Sequence, residues 1–491
     1  MYKKFYTLFH ISTKWLIIVI FIGGVILRFI YTPERFGFDK DPTRDVLVAH
    51  YAAQHLQFPL IGPPSGIGPF TFGPWYYYQI ILFTLVFPFS FAPFYYIPLF
   101  SLLLIIIMYY IGREIHDELL GIILATFVAL SPSFIASTAA LSNPSLIPTI
   151  SGLCLLLFLL IWKKSSLRLL FLWGIIIAIG INIHYEMIPM LLFPVLFFTL
   201  QKKIISREAC VFLCGLFFPC IPFIYYNYAH NWQSILGFIE FIHGGGTNNY
   251  IPNNWRIYLF QFWPRYFAYI FSINSFLSII AAIIIFSIYL YKLVNKSIKV
   301  QTILLLLSFS IFFLGLRYFN ASREYYYFLF LEPLLIIIVG IALYYISNIK
   351  FGKVVVLLIM ILFSILALYQ NSKILRQNGE QQYARELTIE LEKETSNALI
   401  TIYNCRQESI QRAMGVVFLL EKDNYLATNG HKIGFSNATN ESCTVPLRAI
   451  VISNGVFDFK NISSHELAQL GWHTISPKSV FEAVTSGSSN Y

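Results

Sequence analysis

The sequence predicts an all-α polytopic membrane protein with about eleven transmembrane helices and a small C-terminal α/β domain. Apolar residues make up 57% of the 491 residues and charged residues 12%, and the mean hydropathy is +0.66. An ordinary soluble domain is roughly 45–50% apolar and about 25% charged. Apolar runs of about 18 residues or more recur from Lys14 to Asn371, and each is long enough to cross a bilayer as a helix, which satisfies its own backbone hydrogen bonds.

The excess of positive charge is explained by membrane orientation and does not indicate a nucleic-acid partner. The formal net charge is +10, and the lysines stand in short clusters between apolar runs, where positive charge marks the cytoplasmic side. The first apolar run follows Lys3, Lys4 and Lys14, and no small-residue cleavage site follows it. We therefore expect an uncleaved first span and a cytoplasmic N-terminus, in the plasma (inner) membrane.

The number of spans depends on the segment Trp75–Phe91. Twelve apolar segments, alternated from a cytoplasmic start, would place four basic clusters on the outer side, against the positive-inside rule. These clusters are Lys163/Lys164/Arg168, Lys202/Lys203/Arg207, Lys292/Lys296/Lys299 and Lys350/Lys353. Trp75–Phe91 follows Gly73-Pro74, contains three consecutive tyrosines and includes Pro88. It is therefore predicted as an interfacial or re-entrant helix, which returns every cluster to the cytoplasm.

Eleven spans remain, and their odd number sends the C-terminal segment to the outer side. The spans are Trp15–Tyr31, Pro93–Ile111, Leu119–Ser137, Ser145–Trp162, Leu169–Ile183, Met187–Leu200, Ala209–Tyr225, Phe267–Tyr291, Thr302–Leu316, Tyr327–Ile346 and Val354–Tyr369. Residues 1–371 thus form a membrane domain, and residues 372–491 form an extracytoplasmic α/β domain. In the latter, Ala398–Tyr403 and Ala449–Ser453 read as strands and Glu408–Glu421 as a helix. Cys405 and Cys443 would pair if that side is oxidising.

The first outer loop, residues 32–92, begins with the densest polar cluster near a span. Asp39, Asp41 and Asp45 alternate there with Lys40 and Arg44. Asp41 followed by Pro42 is typical of the start of a helix. In one interpretation, Asp41 is therefore the N-cap of an amphipathic surface helix that continues over Val46–Leu56. In the other interpretation, one of these carboxylates is a general base toward an acceptor hydroxyl or amine. The geometry permits this, because Asp41 and Asp45 are four residues apart and share a helix face.

The remaining outer loops carry further candidates for substrate binding. Phe58–Pro69 is rich in Pro and Gly and shapes a cavity or serves as a linker, and two short loops contain Asn143-Pro144 and His184-Tyr185. A second long loop, residues 227–266, brings Arg256 and Arg265, and the loop after the ninth span brings Arg323. Interfacial arginines anchor proteins in lipid or bind phosphate in a bidentate manner, and both interpretations remain open here.

This arrangement resembles the GT-C glycosyltransferases. The motifs Asp41-Pro-Thr-Arg-Asp45, Pro59-Leu-Ile-Gly-Pro63, Gly73-Pro-Trp-Tyr-Tyr77, Asn143-Pro144 and His184-Tyr185 are similar to those of bacterial relatives of protein mannosyltransferases and aminoarabinose transferases. The resemblance implies an inverting, single-displacement transfer of a sugar from a polyprenyl-phosphate carrier to a lipid, glycan or protein acceptor on the outer face.

The resemblance also implies roles for individual residues. The first acidic residue of the loop motif, here Asp41, would be the base, with Asp45 and Asp39 as rivals. Arg44, Asn143, His184, Tyr185, Arg256, Arg265 and Arg323 are the candidate substrate-binding residues. Relatives commonly have Asp-Glu where this chain has Asp41-Pro42, and an acidic residue where it has Asn143. One Asn and one Asp make a poor hard-cation site, so no metal or other cofactor is expected.

Two other functions remain as alternatives. A transporter or flippase would use outer-loop charges to gate a pathway, but such proteins place ionisable groups near mid-membrane and often contain repeated halves. Here the span interiors are nearly free of charge apart from Glu332 beside Pro333, and no halves repeat. A receptor acting through its C-terminal domain would leave the first loop unexplained.

Overall fold

The structure is a computed structural model, and it describes most of the membrane part of the chain. The described residues are 13–30, 35–36, 40–89, 91–244, 255–318, 325–376, 399–404, 433–436, 447–452, 473–474 and 477–487. The predicted helix Glu408–Glu421, the pair Cys405 and Cys443, and the site candidates Asp39 and Arg323 lie outside these ranges.

The described membrane part is mainly helical. Its α-helices are α1 Thr13–Phe29, α2 Lys40–His55, α3 Trp75–Val86, α4 Ala92–Ile115, α5 Glu118–Leu130, α6 Pro132–Ser137, α7 Ile147–Lys163, α8 Leu167–Ile183, α9 Leu192–Leu200, α10 Arg207–Phe217, α11 Ile221–Ala229, α12 Gln233–Gly244, α13 Trp255–Ile257, α14 Trp263–Phe271, α15 Ser275–Val294, α16 Val300–Gly315, α17 Glu332–Ser347 and α18 Gly352–Ile374. Tighter 3₁₀ turns cover Asn143–Leu146, Tyr185–Leu191, Phe218–Cys220, Leu316–Tyr318 and Tyr325–Leu331, and a π-helical turn covers Tyr258–Phe262.

Each of the eleven predicted spans contains helix. Among the described residues, seven segments are individually long and apolar enough to cross a membrane: Ala92–Ile115, Asn143–Lys163, Arg207–Ala229, Ser275–Val294, Val300–Tyr318, Tyr325–Ser347 and Gly352–Ile374. Shorter apolar helices occupy other predicted spans, so the count of eleven crossings stays a prediction. The twelve residues of α3 rise about 18 Å as a helix, too little to cross a hydrocarbon core, which agrees with a re-entrant segment.

Two predicted spans are broken in the middle. Leu119–Ser137 divides at Ser131 because Pro132 starts a new helix, and the Ser131 hydroxyl donates to the Ile270 carbonyl at 2.8 Å. Phe267–Tyr291 divides after Phe271, where Ser272 adopts a left-handed conformation with φ of 58°. Asn274 then caps the next helix by accepting from the Leu277 N–H at 2.8 Å. Periodicity gives no sign of such breaks inside continuous apolar runs.

The helices form a buried centre and a lipid-facing periphery. Within the protein, 89% of the apolar window in Tyr325–Ser347 is buried, compared with 11% for Ser275–Val294. Close crossings depend on small residues, as is common in membrane bundles. A Cβ atom on Gly215 of α10 would lie 2.2 Å from the Phe171 carbonyl oxygen of α8, so only glycine permits that approach.

The predicted surface helix of the first outer loop is instead buried. α2 begins at Lys40, so Asp41 lies in its first turn and not at the N-cap position that the sequence suggested. The helix is not an amphipathic surface element either, since four consecutive residues, Val46–Ala49, are at most 1% exposed. It packs between α3 and a C-terminal helix, α19 Pro477–Thr485.

The described C-terminal residues contain short strands. They are β1 Leu399–Asn404, β2 Ile433–Ser436, β3 Leu447–Ile452 and β4 His473–Thr474, in the sheet order β3-β1-β2-β4. β1 pairs in parallel with β2 and antiparallel with β3, and β2 pairs antiparallel with β4. β1 and β3 coincide with the two predicted strands. The division of the chain into a membrane domain and an α/β domain stays a prediction.

Candidate active site

A cavity of about 960 Å³ lies where the predicted outer loops meet. Its walls come from the start of α2, the Pro/Gly segment before α3, the turns Asn143–Leu146 and His184–Glu186, helix α12 and the turn Tyr325–Leu331. Of the candidates named from the sequence, six line it: Asp41, Arg44, Asp45, Asn143, His184 and Tyr185. Segments more than a hundred residues apart in the chain thus share one cavity.

The first turns of α2 supply a three-residue charge cluster. Arg44 Nη1 donates to Asp41 Oδ1 at 2.6 Å, and Arg44 Nε donates to Asp45 Oδ1 at 2.7 Å. A spacing of three residues places Asp41 and Arg44 on one face of the helix, and the guanidinium also reaches the adjacent Asp45, so it lies between the two carboxylates. Tyr77 of α3 also donates its hydroxyl to Asp45 Oδ1, at 2.9 Å. The cluster is therefore held from both helices.

The two aspartates differ sharply in exposure. The Asp41 side chain is 65% exposed, whereas those of Asp45 and Arg44 are 1% and 3% exposed. Burial raises the pKa of Asp45 above its ordinary value of 3.8, although Arg44 and the Tyr77 hydrogen bond oppose this shift. Arg44 loses hydration through burial, but the charges of Asp45, Tyr77 and Asp41 outweigh that loss and raise its pKa. Asp45 thus anchors Arg44, while Asp41 remains accessible from the cavity.

The Pro/Gly segment before α3 folds into a tight hairpin beside this cluster. The Gly62 N–H donates to the Phe72 carbonyl at 2.8 Å, and the Phe72 N–H donates to the Pro63 carbonyl at 3.0 Å. A Cβ on Gly62 would lie 2.2 Å from the Gly73 oxygen, so the close strand crossing needs glycine there. This segment shapes a wall of the cavity, and the alternative of a simple linker is excluded.

The motif residues of the two short loops are held by hydrogen bonds. Asn143 Nδ2 donates to the Ile183 carbonyl at 2.7 Å, which ties two loops together. Tyr185 donates its hydroxyl to the Thr71 carbonyl of the hairpin at 3.0 Å. The His184 ring stacks on Phe72, with centroids 4.7 Å apart, and burial lowers the pKa of His184 to about 3. His184 is therefore a neutral imidazole in the cavity wall.

Some predicted candidates are not brought to the cavity. Arg256 and Arg265 are exposed, and neither lines it. Arg323 and Asp39 lie outside the described residues. Among the described lining residues, Arg44 is the only arginine or lysine. Phosphate binding by Arg256, Arg265 or Arg323 therefore stays a prediction without a described contact that supports it.

Sequence reasoning missed several residues that line the cavity. Glu186 follows the His184-Tyr185 motif directly, and its side chain is 4% exposed. Tyr325, Tyr326 and Tyr327, at the start of the tenth predicted span, line the cavity as well. Glu186 could have been identified from the sequence, because it is a carboxylate directly beside the His184-Tyr185 motif. The tyrosines gave none, since an aromatic run at a span end is typical of a lipid anchor.

Among the described residues, no group of three or more His, Cys, Asp or Glu side chains is arranged to hold a metal ion. The Asn143 amide group donates to a backbone carbonyl, as described above. The expectation that the site works without a metal remains a prediction.

Comparisons with known proteins point to one fold. A family profile described as dolichyl-phosphate-mannose-protein mannosyltransferase matches residues 71–226. ArnT from Cupriavidus metallidurans, solved with undecaprenyl phosphate, is similar with a TM-score of 0.60 and 10% identity, covering 87% of this chain and 94% of ArnT. The apo form of ArnT gives a TM-score of 0.59 at 10% identity, covering 87% of this chain and 93% of ArnT.

The apo oligosaccharyltransferase of Archaeoglobus fulgidus is also similar, with a TM-score of 0.52 and 14% identity over 78% of this chain. The chain spans 58% of that enzyme's length. Comparison with curated protein sequences gives no match. Identities this low carry information on the fold alone. By its family match and its structural neighbours, this integral membrane protein resembles the GT-C glycosyltransferases and has their fold.

Proposed function

We propose that the protein is a polyprenyl-phosphate-sugar-dependent glycosyltransferase that acts on the extracytoplasmic face of the plasma (inner) membrane. The observation that carries this proposal is the convergence of Asp41, Arg44 and Asp45 with Asn143 and His184 in one cavity of about 960 Å³. Such a volume suits a bound sugar and part of its carrier and acceptor. The fold supports the same class, and ArnT has been solved with undecaprenyl phosphate bound.

The reaction we propose is a single displacement with inversion at the anomeric carbon. The Asp41 carboxylate takes the proton from an acceptor hydroxyl or amine, and the freed electron pair forms the new bond to the anomeric carbon. The bond from that carbon to the phosphate oxygen breaks, and its electron pair leaves with the polyprenyl phosphate. Asp41 suits the role of base because its side chain is 65% exposed while Arg44 fixes one of its oxygens.

Arg44 and Asp45 act as positioning residues in this scheme. Arg44 holds Asp41 at 2.6 Å and is itself held by Asp45, which Tyr77 anchors from α3. A fixed carboxylate raises the share of bound complexes that are oriented for attack.

The proposed orientation follows the charge distribution. The N-terminus and the Lys/Arg clusters between spans face the cytoplasm, and the cavity and the residues 372–491 face outward. We further propose that residues 372–491 form an extracytoplasmic domain.

The test is a transfer assay on the purified protein in lipid. Radiolabelled polyprenyl-phosphate sugars are supplied with a membrane extract as the acceptor, and Asp41→Asn is compared with wild type. We expect the variant to lose transfer by roughly 10²–10⁴-fold, the range that general-base catalysis contributes. Asp117→Asn is the matched control, since Asp117 caps α5 away from the cavity and should leave the rate unchanged. Equal transfer by wild type and Asp41→Asn would refute the assignment of the base.

We also propose that the reaction needs no divalent metal. Incubation with EDTA, followed by removal of the chelator, should leave the transfer rate unchanged. A rate that falls and recovers specifically with Mg²⁺ or Mn²⁺ would contradict this part of the proposal.

A further inference from the structure

Glu186 is a buried carboxylate in the cavity wall that the proposed reaction does not use. Its side chain is only 4% exposed. The Leu329 backbone N–H lies near enough to interact with it, yet among the described residues no donor reaches either carboxylate oxygen with hydrogen-bond geometry. Buried polar groups in proteins are nearly always paired, so an unpaired carboxylate beside a cavity needs an explanation.

His184 does not compensate Glu186. His184 Nδ1 lies 3.7 Å from Glu186 Oε1, but the same nitrogen accepts the backbone N–H of Glu186 at 3.4 Å. Its lone pair is therefore occupied as an acceptor, and the hydrogen of the neutral ring belongs on Nε2. Because burial lowers the pKa of His184 to about 3, the ring carries no positive charge near neutral pH. The pair is therefore not a salt bridge.

Glu332 provides an internal comparison. Its carboxylate is also fully buried, but Oε1 accepts hydrogen bonds from the Ser133 hydroxyl and from the Tyr266 hydroxyl, the latter at 3.1 Å. It does not line the cavity. One oxygen of Glu332 is thus paired, whereas neither oxygen of Glu186 has a hydrogen-bond partner among the described residues. Burial and the nearby Glu332 both raise the pKa of Glu186 above its ordinary value.

The surroundings of Glu186 favour a ligand with hydroxyl groups over an anion. Among the described residues, no lysine or arginine forms an ion pair with Glu186. Aromatic rings form much of the remaining wall, including Phe72, which stacks on His184. A sugar presents hydroxyl donors at its edges and apolar C–H groups on its faces, so it matches a carboxylate set among aromatic rings.

We propose that Glu186 binds hydroxyl groups of the transferred sugar and thereby selects it. The inference rests on the proposed function and assigns a sugar-recognition residue to the same cavity. Hydroxyl groups of the sugar can hydrogen-bond to both Glu186 oxygens and thereby supply the partners that the protein does not, which removes the cost of burying the carboxyl group unpaired. In this scheme, Asp41 takes the acceptor proton and Glu186 recognises the sugar.

The first experiment measures donor binding without turnover. Purified protein in lipid nanodiscs is titrated with citronellyl phosphate and with its mannose, glucose and N-acetylglucosamine esters, and each dissociation constant is measured. We expect at least one sugar ester to bind wild type more tightly than citronellyl phosphate does. Glu186→Gln should reduce that sugar preference by about tenfold or more, because sites built to hydrogen-bond a hydroxyl discriminate strongly. Its affinity for citronellyl phosphate should stay unchanged, and the matched control Glu332→Gln should keep the sugar preference.

The outcomes separate the inference from the proposed function. If the sugar preference survives in Glu186→Gln, or if only the KM for the acceptor changes, the inference is overturned while the proposed function stands. If no sugar ester binds wild type more tightly than citronellyl phosphate, sugar recognition fails, and the inference falls together with the proposed function.

A second experiment needs no ligand. In the ligand-free protein, Glu186→Gln should leave the unfolding temperature unchanged or raise it, because the variant removes a buried carboxylate that lacks donors. Glu332→Gln should lower it, since the acceptor for Ser133 and Tyr266 is weakened. A fall for Glu186→Gln as large as that for Glu332→Gln would indicate a structural role and overturn the inference.

Discussion

Arg44 and Asp45 form a buried pair at the base of the cavity, with Arg44 Nε donating to Asp45 Oδ1 at 2.7 Å and both side chains at most 3% exposed. The same guanidinium extends to the exposed Asp41. A buried charge pair of this kind holds its geometry firmly because either charge alone would be costly. The accessible carboxylate of Asp41 therefore owes its position to two buried side chains.

Removal of Arg44 should cost both stability and activity. Arg44→Ala leaves Asp45 buried without its cation, and breaking one partner of a buried pair costs about 3–5 kcal/mol. The free energy of unfolding, measured in detergent by denaturant titration, reports this loss. The double variant Arg44→Met with Asp45→Leu should recover part of the stability but no transfer. A single variant as stable as wild type would contradict the buried-pair assignment.

The pH dependence of transfer should respond to Tyr77. Burial raises the pKa of Asp45 above 3.8, and the Tyr77 hydrogen bond lowers it, so Tyr77→Phe should raise it further. Asp45 must be ionised to hold Arg44, and that form is lost as the pH falls through the pKa. The acid limb of the pH–rate profile should therefore lie above pH 3.8 in wild type and shift upward in Tyr77→Phe.

Tyr78→Phe is the control for this shift, because Tyr78 packs on Phe58 and Trp75 and has no described contact with Asp45. Activity is lost as the pH falls, whereas the contribution of Asp45 to folding stability depends on pH in the opposite direction. Since the folded state holds the Asp45 proton more tightly than the unfolded chain, this contribution to stability is lost as the pH rises through the raised pKa. An acid limb at the same pH in both variants would contradict the role of Tyr77.

The C-terminal helix should support the helix that carries the site. Phe481 of α19 is 7% exposed and contacts Tyr51 of α2, with ring centroids 5.0 Å apart. Phe481→Ala should destabilise this packing by about 3–5 kcal/mol and reduce transfer, because α2 positions Asp41. Lys478→Ala is the control, since it breaks an exposed pair with Glu482 that contributes little. Thermal unfolding and transfer rates measured on both variants test this support.

Cysteine labelling tests the proposed orientation. In a background lacking the six native cysteines, a cysteine at the exposed Lys478 should react with a membrane-impermeant maleimide added outside intact cells. A cysteine at the exposed Lys164, between the fourth and fifth predicted spans, should react only after the membrane is permeabilised. Protection of position 478 from the outside reagent would refute the odd number of crossings.

Much of the fold could be predicted from the sequence because the bilayer imposes a simple rule on composition. Every segment that crosses lipid must be apolar and helical, so run length located the helices, and the positive clusters predict that Trp75–Phe91 does not cross. The breaks at Ser131 and Ser272 were missed, because an apolar composition predicts insertion into the membrane but does not show where a helix is interrupted. The burial of α2 was missed as well, because its partner α19 lies more than four hundred residues away in the chain.

The sequence by itself determined the membrane class, the helical segments and the motifs that carry Asp41, Arg44, Asp45, Asn143 and His184. Only the tertiary structure decided which of these share a cavity, because packing between distant segments sets proximity. It also assigned opposite environments to Asp41 and Asp45, four residues apart on one helix, since α3 and Arg44 cover one and leave the other open. The role proposed for Glu186 also depends on the tertiary structure, because packing places hydrogen-bond donors beside Glu332 and, among the described residues, none that hydrogen-bonds to Glu186.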